Sequence, residues 1–316
     1  LTGAMAVYGE QERQGIDLAV EEINAAGGID GRKLAVVHED DQMDPTMATS
    51  AINKLITADK VQAVIGEISS SVTLALAPIA EKNKVVLLTH FANSDKISSA
   101  GDYIFRLQIT NAQEAEYLVK LASTLNLTDS AILYMNSDFG TDLAQSVKED
   151  FTRNGGTVTI SEGYNYDATD FRTQLTKIKA KNPGVIFVLG YPNDMAMVVK
   201  QARELGIKSQ FIMADTINED PQFIKLAGKA ADGVMYVYLP TGSAKWQEFN
   251  QKIMSKYGDN ATTLIAMSYD ATNLLAAAME KSGLTSDEIK NGLYQIKDYP
   301  GVMGNITIDK NGDDIS

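Results

Sequence analysis

The feature that most constrains the fold is a series of short, predominantly apolar runs, each separated from the next by a segment with apolar residues at helical spacing. Early in the chain the runs fall at residues 34–37, 61–65, 85–88 and 103–107. Ahead of them, Ile16, Ala19, Val20 and Ile23 share one face of a helix that stops at Gly27 and Gly28, and further helices are expected over 47–56 and from about residue 73. A strand that is apolar on both faces is covered on both faces, as in a parallel sheet whose crossovers are helices. The fold class expected is therefore α/β.

After Asn111 the alternation starts afresh. Helices are expected over 118–125, 141–151, 171–180 and 194–205, and strands over 131–135, 158–161, 185–189, 211–214 and 234–239. Three helices follow (244–256, 262–281, 286–296) and then a last strand at 306–308. A length of 316 residues also favours two domains over one. The closing helices have too little sheet of their own, so the chain is expected to return to the first lobe. Crossovers are placed near 109–113, 239–243 and 300–304, giving an N-terminal lobe of residues 1–111 plus 241–301 and a C-terminal lobe of 112–240 plus 302–316.

Several chemistries are disfavoured. A formal charge of -13, from 28 Lys and Arg against 41 Asp and Glu, repels a phosphate backbone, so nucleic acid is not an expected partner. The absence of cysteine removes disulfides, thiolate zinc sites and thiol nucleophiles together. His38 and His90 are the only histidines, which excludes a multi-histidine metal site. The acidic group Glu39, Asp40, Asp41 and Asp44 lacks calcium-loop spacing and reads as a solvated strand end, while Asp309, Asn311 and Asp313 around Gly312 read as a turn. Neither GxGxxG nor GxxxxGK[ST] occurs, and Ser70, His90 and Asp215 lack the GxSxG elbow a hydrolase reading would want. The longest apolar stretch, 264–279, is broken by Ser268, Asp270 and Asn273 and reads as a buried helix rather than a membrane span. No enzyme, cofactor or metal is expected.

Open parallel sheets bind ligands beyond the carboxyl ends of their strands. After 61–65 come Ser69, Ser70 and Ser71 at the start of a helix, where they either cap it or, with its free N–H groups and dipole, receive an anion. After 85–88 come Thr89, His90, Phe91, Ala92 and Asn93. In the second lobe Phe139, Tyr191 and Asp215 follow the expected strands 131–135, 185–189 and 211–214. Taken singly, these are packing residues or caps. Taken together, hydroxyls in one lobe and aromatics with a carboxylate in the other are the complement of a zwitterion with an apolar body.

The strings LTGAMAVYGEQERQGIDLAVEEINAAGGIDGRKL, VIGEISSSVT, NSDFGTDLAQSV, TDFRTQLTKIKAKNPGVIFVLGYPNDM and MGNITIDKNGD span nearly the whole chain. Through them the sequence resembles the leucine, isoleucine and valine type of amino-acid-binding protein of ABC importers, within the class I periplasmic binding proteins. The resemblance implies two Rossmann-like lobes joined by three hinge crossovers, closing on a ligand in the cleft between them. It puts Ser70 and Asn93 on the ligand carboxylate, Asp215 and the Phe91 carbonyl on its ammonium, and Tyr8, Phe139, Tyr191 and Tyr269 around its side chain; Ser69 joins the set as a strand-end hydroxyl. Asn93 stands where the family often has Thr, Phe139 where Tyr is common and Asp215 where Glu is frequent. Also implied are an apolar, branched-chain type L-amino acid as ligand, a membrane permease as partner, a monomer, and a periplasmic or extracellular, lipid-anchored location. Family members usually carry an apolar strand before LTG and another after IDKNGD, so the chain is expected to be trimmed at both ends. A ligand-sensing domain of a regulator or receptor, which shares the fold, stays open as the alternative.

Overall fold

The computed structural model describes residues 1–2, 6–217, 221–238 and 241–316. Contacts divide the chain into two compact units, Leu1–Ile109 with Pro240–Ser316 and Thr110–Leu239.

The first unit opens with α1 (Ala6–Ala25), α2 (Pro45–Thr57), β1 (Ala63–Ile65), α3 (Ser70–Asn83), β2 (Val86–Thr89), a 3-10 turn at Asp95–Ser99 and β3 (Ile104–Arg106). The strands pair in parallel in the order β1-β2-β3, with Ala63 opposite Val86 and Leu87 opposite Ile104. Local chemistry starts the helices: ahead of Pro45, the Asp44 carboxylate accepts the N–H groups of Thr46 and Met47. Leu87 and Ile104 are buried against Ile52 of α2 and Leu76, Ala77 and Ala80 of α3, which cover one face of the sheet.

Residues 34–37 form no strand, contrary to expectation. Val36 and Val37 are 39% and 45% exposed, and the backbone of Leu34 bonds the side-chain amide of Asn24 (2.7 and 2.9 Å) instead of a neighbouring strand. This stretch and β1 line the same cavity of about 390 Å³, so the two do not meet. An apolar run becomes a strand only where a partner ladder is within reach.

The second unit contains α4 (Asn111–Thr124), β4 (Asp129–Met135), α5 (Asp138–Arg153), β5 (Thr157–Tyr164), α6 (Arg172–Lys181), β6 (Val185–Leu189), α7 (Pro192–Glu204), β7 (Gln210–Met213), α8 (Pro221–Ala227) and β8 (Met235–Tyr236). All five strands are parallel, in the order β5-β4-β6-β7-β8. The central β6 is buried on both faces along its length. The strand expected over 234–239 shortens to Met235–Tyr236, and its expected end at residue 239 lies outside the described residues. Where β4 ends and α5 begins, a Cβ on Gly140 would sit 2.2 Å from the Met135 carbonyl oxygen. Gly140→Ala is expected to destabilise the protein by about 1–3 kcal/mol as the helix start is pushed off the strand. A urea midpoint equal to that of the wild type would show that the junction relaxes freely.

The chain then returns to the first unit with α9 (Ala244–Tyr257), α10 (Thr263–Ser282), α11 (Ser286–Tyr294) and an antiparallel hairpin of β9 (Tyr299–Pro300) and β10 (Asn305–Ile306). Leu18 of α1 packs there with Phe249, Ile253 and Ile265. The passage between units at Ile109 and Thr110 falls within the expected 109–113, and the return at 239–240 lies outside the described residues. The third crossover, placed at 300–304, is not made there, and residues 302–316 belong with the first unit rather than the second. The reason is specific pairing: Arg106 forms a parallel bridge with Asp313, and Asp314 N–H donates to the Arg106 carbonyl at 2.9 Å. The final strand shrinks to Asn305–Ile306, with Ile308 bridged to Asp314.

Candidate functional site

In the first unit, the ends of β1 and β2 converge on the start of α3. Ser69 is the N-cap, its Oγ accepting the Val72 N–H at 3.5 Å. Ser70, 1% exposed, has its Oγ accepting the Ser94 N–H at 3.1 Å. A hydroxyl has one proton, and with this lone pair engaged by Ser94 the proton remains to be donated to an anion at the helix start. Thr89 ties the two loops together: its hydroxyl donates to the Glu67 carbonyl at 2.6 Å and accepts the Ala92 N–H at 3.2 Å. Asn93 is buried and Phe91 half-buried on the same loop. Tyr8 lies one turn ahead of Glu12 on α1, and Glu12 Oε1 stands 3.4 Å from His90 Nε2, which places Tyr8 at this end of the unit.

Tyr269 does not join this set. Its hydroxyl donates to Glu22 Oε2 at 2.5 Å and its ring packs on Phe249 with centroids 4.9 Å apart. Glu22 follows Tyr8 by 14 residues on α1, about 21 Å along the helix axis, so one wall cannot hold both tyrosines. The ring serves the packing of α1, α9 and α10 instead.

Glu12, Glu67 and His90 crowd together behind the strand ends, with Asp41 beside the two glutamates. Burial pushes Glu12 up to about 8, with the Asp41 charge adding to it. Burial also raises Glu67 well above the carboxylate range and pushes His90 down to about 3. The 3.4 Å contact has the length of an ion pair, yet at neutral pH it joins two uncharged groups. We found no group of three or more His, Asp or Glu arranged to hold a metal ion among the described residues.

The second unit's strand order marks a candidate ligand-binding edge. From β4 the chain steps to β5 on one side and then crosses back to β6 on the other, so the loops after β4 and β6 diverge and leave a crevice at the sheet's carboxyl edge. Phe139, in the first turn of α5, and Tyr191, the N-cap of α7, follow those two loops with rings stacked, centroids 6.1 Å apart and planes 10° off parallel. Tyr166 meets Tyr191 edge-on at 6.2 Å. Asn111 Nδ2 holds the Phe139 carbonyl at 3.1 Å, and Thr216 Oγ1 donates to the Gly190 carbonyl at 2.6 Å. Asp215 follows β7 and is buried, and its backbone N–H donates to Glu114 Oε1 at 2.9 Å. Burial pushes Asp215 up to about 7; burial and the Asp215 charge raise Glu114 well above the usual range. Burial likewise lifts Asp194, in the first turn of α7, to about 6.

Sequence reading missed Glu114, Tyr166 and Asp194. Glu114 left a trace: it sits one turn before Leu118 and two before Ala122, an acid in the apolar stripe of α4. Tyr166 and Asp194 carried no local signal.

Residues 1–314 match the family model described as Periplasmic binding protein. The chain belongs to that family. Among curated relatives of this periplasmic binding protein, the Leucine-, isoleucine-, valine-, threonine-, and alanine-binding protein of Pseudomonas aeruginosa is 28% identical over 318 residues, spanning 99% of this chain and 84% of its own length. Among solved structures, the leucine-binding protein LivK of Thermotoga maritima has a TM-score of 0.94 at 27% identity, covering 100% of this chain and 91% of that one. LivJ of Streptococcus pneumoniae, a branched-chain amino acid transporter substrate-binding protein solved with isoleucine, has a TM-score of 0.91 at 32% identity, covering 99% and 90%.

The raised carboxyls of this periplasmic binding protein predict how its stability responds to pH. Asp194, Asp215 and Glu12 hold protons up to about 6, 7 and 8, whereas unfolded carboxyls release theirs near 4. The folded state binds more protons across that window, so their stabilising contribution is complete below about pH 4 and is lost as pH rises through 6 to 8. The melting temperature of the ligand-free protein is therefore expected to fall between pH 5 and 8. A rise over that interval would mean that these groups are ionised in the fold.

Proposed function

We propose that this periplasmic binding protein is an extracytoplasmic solute receptor of an ABC importer, binding an apolar L-amino acid and handing it unchanged to a membrane permease. The observation that carries this reading is the chemical contrast between the two sets of strand ends. Those of the first unit offer the Ser70 hydroxyl and the N-terminus of α3 to a carboxylate. Those of the second offer the Asp215 carboxyl to an ammonium and the stacked Phe139 and Tyr191 rings to an apolar side chain. Tyr8, Ser69, Phe91 and Asn93 complete the first set. Leucine, isoleucine and valine are the foremost ligands, as the names of the relatives suggest; methionine and aromatic amino acids come second.

The test is a thermal-shift panel of the standard amino acids together with keto acids, sugars, polyamines and dicarboxylates. A ligand at 100 times its Kd adds about 2.7 kcal/mol of stability, which is readily seen. Branched-chain amino acids should shift the melting temperature most and their keto acids little. A panel in which only sugars, polyamines or dicarboxylates shift it overturns the reading. Affinity should also climb as pH rises through about 7, because Asp215 must be ionised to hold an ammonium.

A further inference from the structure

Ser70 is held in place by more than its own helix. The Ser94 N–H that engages its Oγ belongs to a residue whose own carbonyl, on the next peptide plane, is also fixed, since it accepts from Arg106 Nη1 at 2.8 Å. The other arm of that guanidinium, Nη2, bonds Ser98 Oγ and Asp313 Oδ1, each at 2.6 Å. Arg106 is 0% exposed and is the largest fully buried side chain of the protein. Asp313 is seated in turn. Asp309 Oδ1 accepts the N–H groups of Asn311 (2.7 Å) and Asp313 (3.0 Å), folding residues 309–313 into a tight turn. That turn docks on β3, where Arg106 N–H donates to the Gly312 carbonyl at 2.9 Å. Gly312 has φ +83°, and a Cβ there would lie 2.3 Å from the Ile104 carbonyl oxygen, so the close approach requires glycine.

We propose that Arg106 and Asp313 are positioning residues for the ligand carboxylate, acting through the backbone of Ser94 on the Ser70 hydroxyl. This rests on the reading above that Ser70 receives that carboxylate. The planar guanidinium fixes two directions at once, so the Ser94 carbonyl is aimed by wherever Asp313 holds the fork. Once the fork is released, the peptide that carries the Ser94 carbonyl can turn, the Ser94 backbone shifts with it, the N–H on the preceding peptide leaves Ser70, and the hydroxyl proton is no longer directed at the anion. A turn at the end of the sequence thereby sets the affinity of a site built around residue 70. Residues at the ammonium end of the ligand take no part in this chain of bonds.

The experiment compares L-leucine with L-leucinamide, which keeps the ammonium and the side chain but replaces the carboxylate with a neutral amide. Both are titrated by calorimetry into the wild type, Asp313→Asn and Arg106→Lys, with melting temperatures confirming the fold. Wild type should prefer leucine. In each variant leucine should weaken about tenfold, the worth of one well-made hydrogen bond, while leucinamide binding stays unchanged. Should Arg106→Lys fail to fold, Asp313→Asn, which keeps the side chain's shape but withdraws the charge that holds the fork, decides alone. A folded variant that loses both ligands equally, or neither, overturns the proposal and leaves the pair a purely structural role. Wild type that does not prefer leucine to leucinamide overturns the carboxylate reading itself, an outcome visible before any variant is made.

Discussion

Asp215→Ala is expected to weaken L-leucine binding by about 30-fold to several thousand-fold, the equivalent of roughly 2–5 kcal/mol. The cause is electrostatic. Asp215 is 2% exposed, and an ammonium brought to so dry a position without its carboxylate keeps neither its water nor a counter-charge. The fold should survive the change, because the bond to Glu114 is made by the backbone N–H of residue 215, which alanine retains. Removing a buried carboxyl that resists ionisation also relieves the desolvation that lifts its pKa. The ligand offers the reciprocal test: wild type should reject 4-methyl-2-oxopentanoate, leucine without its amino group, by a comparable factor. If calorimetry finds Asp215→Ala within threefold of wild type for leucine, the ammonium is held elsewhere.

Asp313→Ala should cost about 3–5 kcal/mol of stability. Its carboxylate is the charged partner of a guanidinium from which water is wholly excluded, and alanine leaves that cation buried and unpaired. Trp246, the chain's one tryptophan, is buried in the same unit with Leu18 and Phe249, so its fluorescence in a urea titration reports this unit's unfolding directly. A double variant, Arg106→Met with Asp313→Leu, should recover most of the loss, since an apolar pair of similar volume does without the desolvation cost. A single variant that unfolds within 1 kcal/mol of wild type, an uncertainty of about that size being usual for extrapolated values, would show that Arg106 finds other compensation.

Much of the architecture is legible in local pattern. Runs such as 185–189 and 131–135, apolar at every step, belong in strands covered on both sides, and they form β6 and β4. Capping boxes of Thr110 with Gln113 and Thr285 with Glu288 open α4 and α11 in the fold. Strand-end logic selects Ser69, Ser70, Phe139, Tyr191 and Asp215 because a parallel sheet delivers all its strand ends to one edge. That rule requires no knowledge of long-range contacts.

What the local pattern leaves open are the pairings between distant residues. Glu114 meets Asp215 across 101 residues and Arg106 meets Asp313 across 207, and no local pattern names the partner of either. Tyr269 looks like a wall residue until its helix is packed on α1, which carries it to Glu22. Residues 34–37 read as a strand, but a strand is a property of two segments, and no ladder reaches them. The sequence by itself determined the periodicities, the caps and the strand-end residues, because each depends on neighbours a few positions away. The tertiary structure alone decided which buried charges pair, which apolar run finds a ladder and where the last 15 residues dock, because those free energies arise only when segments far apart in the chain are brought within a few ångströms.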